Sequence, residues 1–213
     1  MVMAMVIIKP MKTMKKTVIQ LFALLFVSVA FAAVPLDLGS AAGSTPYDRY
    51  MDPVKQVLSH LPTNEGPSMD RVRQLLREGR GFRYSFTDPY TAASPAVTAQ
   101  TRSGDCKAKA LWLLNGLGDS NALFVIGKTS RYSRTSHAWV YWRNENRWWI
   151  LDCTNRTQPI AADSVSEERY IPYYSYGRSG EFRHRATQLL INPMSPNTGA
   201  PAVADRAAGQ GGK

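Results

Sequence analysis

Apolar positions along the chain set out its elements before any residue suggests chemistry. Tyr50, Val54, Val57, Leu58 and Leu61 recur at helical spacing, as do Met69, Val72, Leu75 and Leu76, which predicts two short helices. Ser68 is a candidate N-cap for the second, and Gly79 a candidate stop. Phe82–Phe86 alternates aromatic and polar residues, as a half-buried strand does. Residues 87–103 carry two prolines and many small side chains and read as loop. A third helix follows, with a start signal at Ser103 and stops at Gly116 and Gly118. Within it, Cys106, Ala110, Leu113, Leu114 and Leu117 share one face. Ser136–Trp142 and Trp148–Cys153 are aromatic and β-branched, and the polar run 143–147 between them predicts a hairpin. Helices ahead of antiparallel strands make an α+β fold class.

The two ends differ from the middle. Lys12, Lys15 and Lys16 precede the apolar run Leu21–Ala30, which closes on a small-x-small site at Ala30-Phe31-Ala32. Residues 1–32 therefore read as an export signal cleaved after Ala32, leaving a periplasmic or secreted protein. A membrane anchor is the alternative, but Leu21–Val34 gives only 14 uninterrupted residues, short of the ~20 that span a bilayer. Residues 33–46 read as a linker and 47–191 as one domain, with 157–191 giving mixed signals apart from a strand near Thr187–Ile191. The segment 192–213, rich in Gly, Ala and Pro without apolar period, reads as a disordered tail.

Composition adds bounds. The 213 residues, 44% hydrophobic and 20% charged, suit one globular domain with tails. Of the net +10, four charges lie in residues 1–32; the remainder carries 22 basic and 16 acidic residues without a basic run. No nucleic-acid partner is implied. Two cysteines exclude a disulfide-dense scaffold and a four-cysteine metal site.

Candidate chemistry lies between 101 and 156. Cys106 falls in the first turn of a core helix, where the dipole and free N–H groups favour a thiolate; taken alone, it reads first as a small buried hydrophobe. Centring the hairpin on Asn144-Glu145 sets Tyr141 opposite Trp148, Trp139 opposite Ile150 and His137 opposite Asp152, with Cβ atoms ~5 Å apart. An odd-numbered loop breaks that pairing. His137 alone reads as a core histidine, but Asp152 among Trp-Trp-Ile-Leu needs a partner. Together Cys106, His137 and Asp152 have the roles of nucleophile, base and orienter.

Gly104-Asp105-Cys106 at a helix start, Ser136-His137-Ala138-Trp139-Val140 on a strand and Leu151-Asp152-Cys153-Thr154 on the next resemble the core of the transglutaminase-like superfamily. The resemblance covers about a quarter of the chain; Phe82–Phe86 and Ser94-Pro95 extend it more softly toward the bacterial transglutaminase-like cysteine peptidases. It departs from that pattern at Cys153, where the family usually has Pro, and at Ala108, a frequent acidic position. It implies a papain-like architecture with a nucleophile helix on an antiparallel sheet, a Cys-His-Asp triad and a thioester intermediate. The implied activity is that of a cysteine peptidase or amidase with a protein or peptide substrate. An amine-accepting transglutaminase and a catalytically silent binding domain are the alternatives.

An oxyanion hole should use the Cys106 N–H. Gln100, six residues upstream, is spaced like the oxyanion glutamine of papain-like enzymes, or is a solvent-exposed loop residue. Lys128, Arg131 and Arg134 read as a solvated loop or as a cleft wall for acidic groups. A Cys106–Cys153 disulfide is the main objection in an exported chain, although Cys153 points opposite to Asp152 along a strand. Zinc on Cys106, His137 and Asp152 is a remote alternative. The favoured reading calls for no cofactor, no metal and no membrane anchor once the signal is removed.

Overall fold

The computed structural model describes residues 36–63, 66–87 and 90–187. The export signal and the 192–213 tail lie outside these residues.

In chain order the described elements begin with β1 (Ser40–Ala42), α1 (Asp52–His60), α2 (Met69–Arg80), β2 (Arg83–Tyr84), α3 (Pro95–Thr101) and β3 (Ser103–Gly104). They continue with α4 (Cys106–Leu117), β4 (Ala122–Ser130), β5 (His137–Asn144), β6 (Arg147–Leu151), β7 (Ile160–Ala161), β8 (Arg169–Gly177) and β9 (Gly180–Arg183). Among the described residues, seven strands form one antiparallel sheet in the order β1-β9-β8-β4-β5-β6-β7, while β2 and β3 form a short parallel pair. Helices α1, α2 and α3 pack around α4, which lies against β4 and β5. The α+β class, with the helix that opens at Cys106 packed on an antiparallel sheet, is what the structure has.

Helix α4 is buried on nearly every side, from Cys106 through Leu114 and again at Leu117. Its apolar run makes it the centre of the core rather than an amphipathic cover. It starts two residues after the expected Ser103 cap, because Ser103-Gly104 pair with Arg83-Tyr84 and Asp105 caps instead. It ends at Gly118, in the left-handed region at φ 58°.

Ser68 caps α2 as expected, accepting from the Arg71 N–H at 3.3 Å. The helix runs through Gly79 to Arg80, so Gly79 is not a stop. A Cβ there would stand 2.9 Å from Cys153 Sγ and from the Trp112 ring, and glycine is what lets α2 approach this closely.

Three further segments differ from the sequence reading. Within 87–103, Ser94 accepts from the Val97 N–H and Pro95 opens α3, a Ser-Pro start embedded in a loop-like composition. Within 33–46, Ser40–Ala42 form the sheet's edge strand against Glu181–Arg183. Thr187 is helical, and 188–191 lie outside the described residues.

The predicted hairpin exists with its turn one residue further on. Glu145 and Asn146 are the two turn residues, both left-handed at φ 49° and 62°, as a tight primed turn requires. The register is therefore Tyr141–Ile150, Trp142–Trp149 and Arg143–Trp148, two places from the expected pairing. A shift of two keeps every side chain on its face. Ala138, Val140 and Trp142 pack toward α4, while Trp139, Tyr141 and Ile150 pack with Val125 and Tyr170 on the opposite face.

Candidate active site

Cys106 is the first residue of α4 and keeps 9% of its surface exposed. Asp105 fixes that helix start: its Oδ1 accepts from the N–H groups of Lys107 and Ala108, each at 3.0 Å. Its Oδ2 accepts from Thr87 Oγ1 at 3.0 Å and pairs with the Lys107 ammonium. Both charged side chains are almost wholly buried, so neither would be tolerated without the other. The ammonium also lies over the rings of Tyr90, at 4.6 Å, and Phe86, at 5.2 Å. A lone carboxylate beside a thiolate would repel it, and Lys107 cancels that field at the helix mouth.

His137 opens β5, and its Nε2 lies 3.1 Å from Asp152 Oδ2. The Cys106 thiol lies near enough to contribute to the shift in the imidazole pKa. Since Nε2 faces the carboxylate, Nδ1 is the nitrogen left for the thiol. Burial pushes the imidazole pKa down, but the hydrogen bond to Asp152 and the charges of Asp152 and Cys106 outweigh it, lifting it to about 10. The Trp139 ring lies nearly parallel to the imidazole, 6.3 Å away and tilted by 21°.

Asp152 is buried just past the end of β6. Its Oδ1 accepts from the N–H groups of Thr154, at 3.1 Å, and Asn155, at 3.3 Å. Its Oδ2 accepts from the Asn155 amide at 2.9 Å and from the Tyr170 hydroxyl at 3.0 Å, besides facing His137. Burial alone would raise this carboxyl; the bonds from His137, Asn155 and Tyr170 hold it below the usual carboxylate range. Tyr170 reaches it from the start of β8 with a left-handed backbone, φ 49°, a strained conformation for a bulky residue.

The structure pairs His137 with Asp152 and sets Cys106 at the start of α4, where it acts on the same imidazole. Gln100 is exposed on α3, and no described hydrogen bond joins it to Cys106. Arg131 is exposed and engaged by Glu168, Arg134 is exposed, and Lys128 is half-buried within β4. Both thiols are free. Cys153 lies on the α4 side of the sheet with its thiol donating to the Lys109 carbonyl at 3.4 Å, and burial pushes its pKa far up. No group of three or more His, Cys, Asp or Glu among the described residues is arranged to hold a metal ion.

Sequence reading missed Asn155, Tyr170, Asp105 and Lys107 as parts of the site. Asp152-Cys153-Thr154-Asn155 carries a legible signal, because Asp with Asn three residues later is turn chemistry. Tyr170 carries none, as a tyrosine in an aromatic strand looks like packing.

No family model matches the chain, and no curated protein matches it. Solved structures do resemble it. EGTA-treated LapG of Legionella pneumophila aligns at 14% identity and a TM-score of 0.44, over 66% of this chain and 77% of that one. Calcium-bound LapG aligns at 15% identity and a TM-score of 0.45, over 64% and 77%. A candidate cysteine protease from Cytophaga hutchinsonii aligns at 18% identity and 0.36, over 50% and 39%.

Proposed function

We propose that the protein is an exported cysteine peptidase or amidase of transglutaminase-like type, cleaving protein or peptide amide bonds through Cys106. The observation that carries this reading is the bond between His137 Nε2 and Asp152 Oδ2, with Asp152 fixed from three further directions and Cys106 standing at the start of α4 where it acts on the same imidazole.

The chemistry follows from the raised pKa of His137. An imidazole titrating near 10 is protonated at neutral pH, which suits a thiolate–imidazolium pair rather than a thiol waiting for a base. The thiolate attacks the substrate carbonyl carbon. The tetrahedral adduct collapses as His137 gives its proton to the departing amine, leaving a thioester. Water, deprotonated by the now neutral His137, then releases the acid. Asp152 holds the imidazole orientation and supports its charge in both steps. Water is the expected acceptor because it needs no dedicated site; a primary amine in its place would give cross-linking. The signal read in residues 1–32 assigns the action to the periplasm or the exterior.

Intact mass of the purified protein after brief iodoacetamide exposure is the first test. One fast adduct on Cys106 without prior reduction, lost in His137→Ala, is the expected result. Slow labelling indifferent to His137 would replace the enzyme reading with a silent binding domain.

A further inference from the structure

We propose that the cavity on the sheet face turned away from α4 is a binding site for a small apolar carboxylate, separate from the site around Cys106. The inference stands on that face alone and not on what the thiol does.

On this face the aromatic cluster of Trp139, Tyr141 and Tyr170 is covered in part by the turn Ala162–Ser164 and by Leu36. Between cover and sheet lies a cavity of about 480 Å³, within the roughly 300–1,000 Å³ range of small-ligand sites. Well-packed interiors leave few voids larger than a water molecule, and this one has room for an aromatic ring. Its base is made by Tyr141 and Ile150, which face each other across β5 and β6, and by Ile171 and Pro172 of β8. The phenols beside it have their hydroxyls engaged elsewhere. Tyr141 donates to the Tyr170 carbonyl at 3.4 Å, and Tyr170 donates to Asp152 at 3.0 Å. What they present to the cavity is ring surface, which suits an apolar body.

The rim is charged, with Asp37, Glu167, Arg169 and Arg185 around it. Asp37 acts as a clamp on the backbone: its Oδ1 accepts from the Gly39 N–H at 2.9 Å and its Oδ2 from the Arg185 N–H at 2.7 Å. The Arg185 side chain comes no nearer than 3.8 Å to that carboxylate and is 72% exposed. Arg169 has no ion-pair partner among the described residues. Two guanidinium groups therefore face the entrance against the Glu167 carboxylate. A guanidinium offers paired N–H donors that match a carboxylate, whereas an ammonium there would meet two like charges. An apolar acid sets its body on the base and its carboxylate at the rim. Tyr170 is both cavity wall and support of Asp152, so one side chain separates the occupant from the candidate active site.

Three probes with one body and different heads test this: 4-phenylbutyrate, 4-phenylbutan-1-ol and 4-phenylbutylamine. Their affinities for the purified protein are read by NMR titration, before and after exhaustive alkylation of Cys106 with iodoacetamide. 4-Phenylbutyrate should bind saturably at one site, at least about tenfold tighter than the alcohol or the amine, as a charge-assisted bond to arginine implies. Alkylation should leave that affinity unchanged. Arg169→Gln with Arg185→Gln, both at exposed positions, should remove the preference for the acid and keep the binding of the alcohol. Val165→Phe, which fills the cavity, should abolish both, with urea unfolding to check that the variant folds. No saturable binding, equal affinity for acid and alcohol, or tighter binding of the amine overturns the proposal. So does loss of binding on alkylation, which would place the probe at the thiol. Because the readout is binding, an inert Cys106 would overturn the peptidase reading and leave this one in place.

Discussion

His137 bonds Asp152 diagonally across the hairpin, not from directly opposite. The ladder runs Tyr141–Ile150 and Val140–Leu151, so its continuation sets Trp139 against Asp152 and leaves His137 two positions away. The 3.1 Å contact therefore depends on where the carboxylate is held. That is the role of the Thr154 and Asn155 N–H groups, the Asn155 amide and the Tyr170 hydroxyl.

Two substitutions separate the charge of Asp152 from its placement. Asp152→Asn removes the charge that supports the imidazolium and should lower kcat/KM by about 10²–10⁴-fold with little change in KM. Tyr170→Phe leaves the charge but removes one donor. Hydrogen bonds to charged groups contribute about 1.5–3 kcal/mol, so urea stability should fall by that order, with activity down about tenfold. Wild-type activity and stability in Tyr170→Phe would show that the left-handed strain at Tyr170 serves packing alone.

The two cysteines should behave as different chemical species. Cys106→Ser should abolish the fast iodoacetamide adduct. Cys153→Ala should retain it at the wild-type rate and cost about 1 kcal/mol for the lost buried thiol and its bond to Lys109. Peptide mapping after alkylation decides. Fast modification of Cys153 in the folded protein would contradict its burial behind Gly79 and Trp112.

How far the sequence carried this picture depended on which force placed each residue. Cys106, His137 and Asp152 were legible because each is an uncommon type on an apolar or aromatic element, in an order that one helix and one hairpin can assemble. The hairpin turn was mis-centred because Glu145-Asn146 lacks the glycine that marks a primed turn, yet the parity of the register survived and kept His137 and Asp152 on one face. Helix α3 was hidden by Thr and Ala residues in a loop-like stretch, although Ser94-Pro95 announced it. Asp105 was overlooked as a cap because Ser103 stood nearby, and the parallel pairing of β2 with β3 is long-range. The adjacency of β8 and β4 likewise brings in Tyr170; tertiary pairings of this kind leave no local pattern.

The turn itself offers a stabilising change. Glu145 and Asn146 both hold φ values that L side chains adopt at a cost of roughly 1–2 kcal/mol, less for Asn. Glu145→Asn with Asn146→Gly supplies the preferred primed-turn pair and should raise stability by about 1 kcal/mol without altering thiol reactivity. Urea unfolding measures the first and iodoacetamide labelling the second. A loss of stability would mean that the bond from the Arg143 guanidinium to Asn146 Oδ1, at 3.1 Å, contributes more than the strain relieved.

In a Cys106→Ser background, where no thiol proton offsets the imidazole's, stability should fall as pH rises through the neutral range because of His137. Its pKa is near 6.5 in the unfolded chain and about 10 in the folded protein. Below 6.5 both states hold the proton and the full stabilisation is present; between 6.5 and 10 only the folded state holds it, so each rise in pH favours unfolding. The limiting slope for one proton is about 1.4 kcal/mol per pH unit. Cys153 and the buried tyrosines, all pushed up by burial, add slopes of the same sign only above their unfolded values. Lys109 and His184, both pushed down, contribute the opposite sign but are common to the two proteins compared. In wild type a thiolate–imidazolium pair would exchange one thiol proton for the one that His137 gains and flatten the slope, so the clean comparison is Cys106→Ser against Cys106→Ser/His137→Gln by urea unfolding from pH 7.0 to 8.5, a range chosen between the ordinary His and Cys values. The single variant should lose stability with pH more steeply than the double. Equal slopes would mean that His137 is neutral in the folded protein.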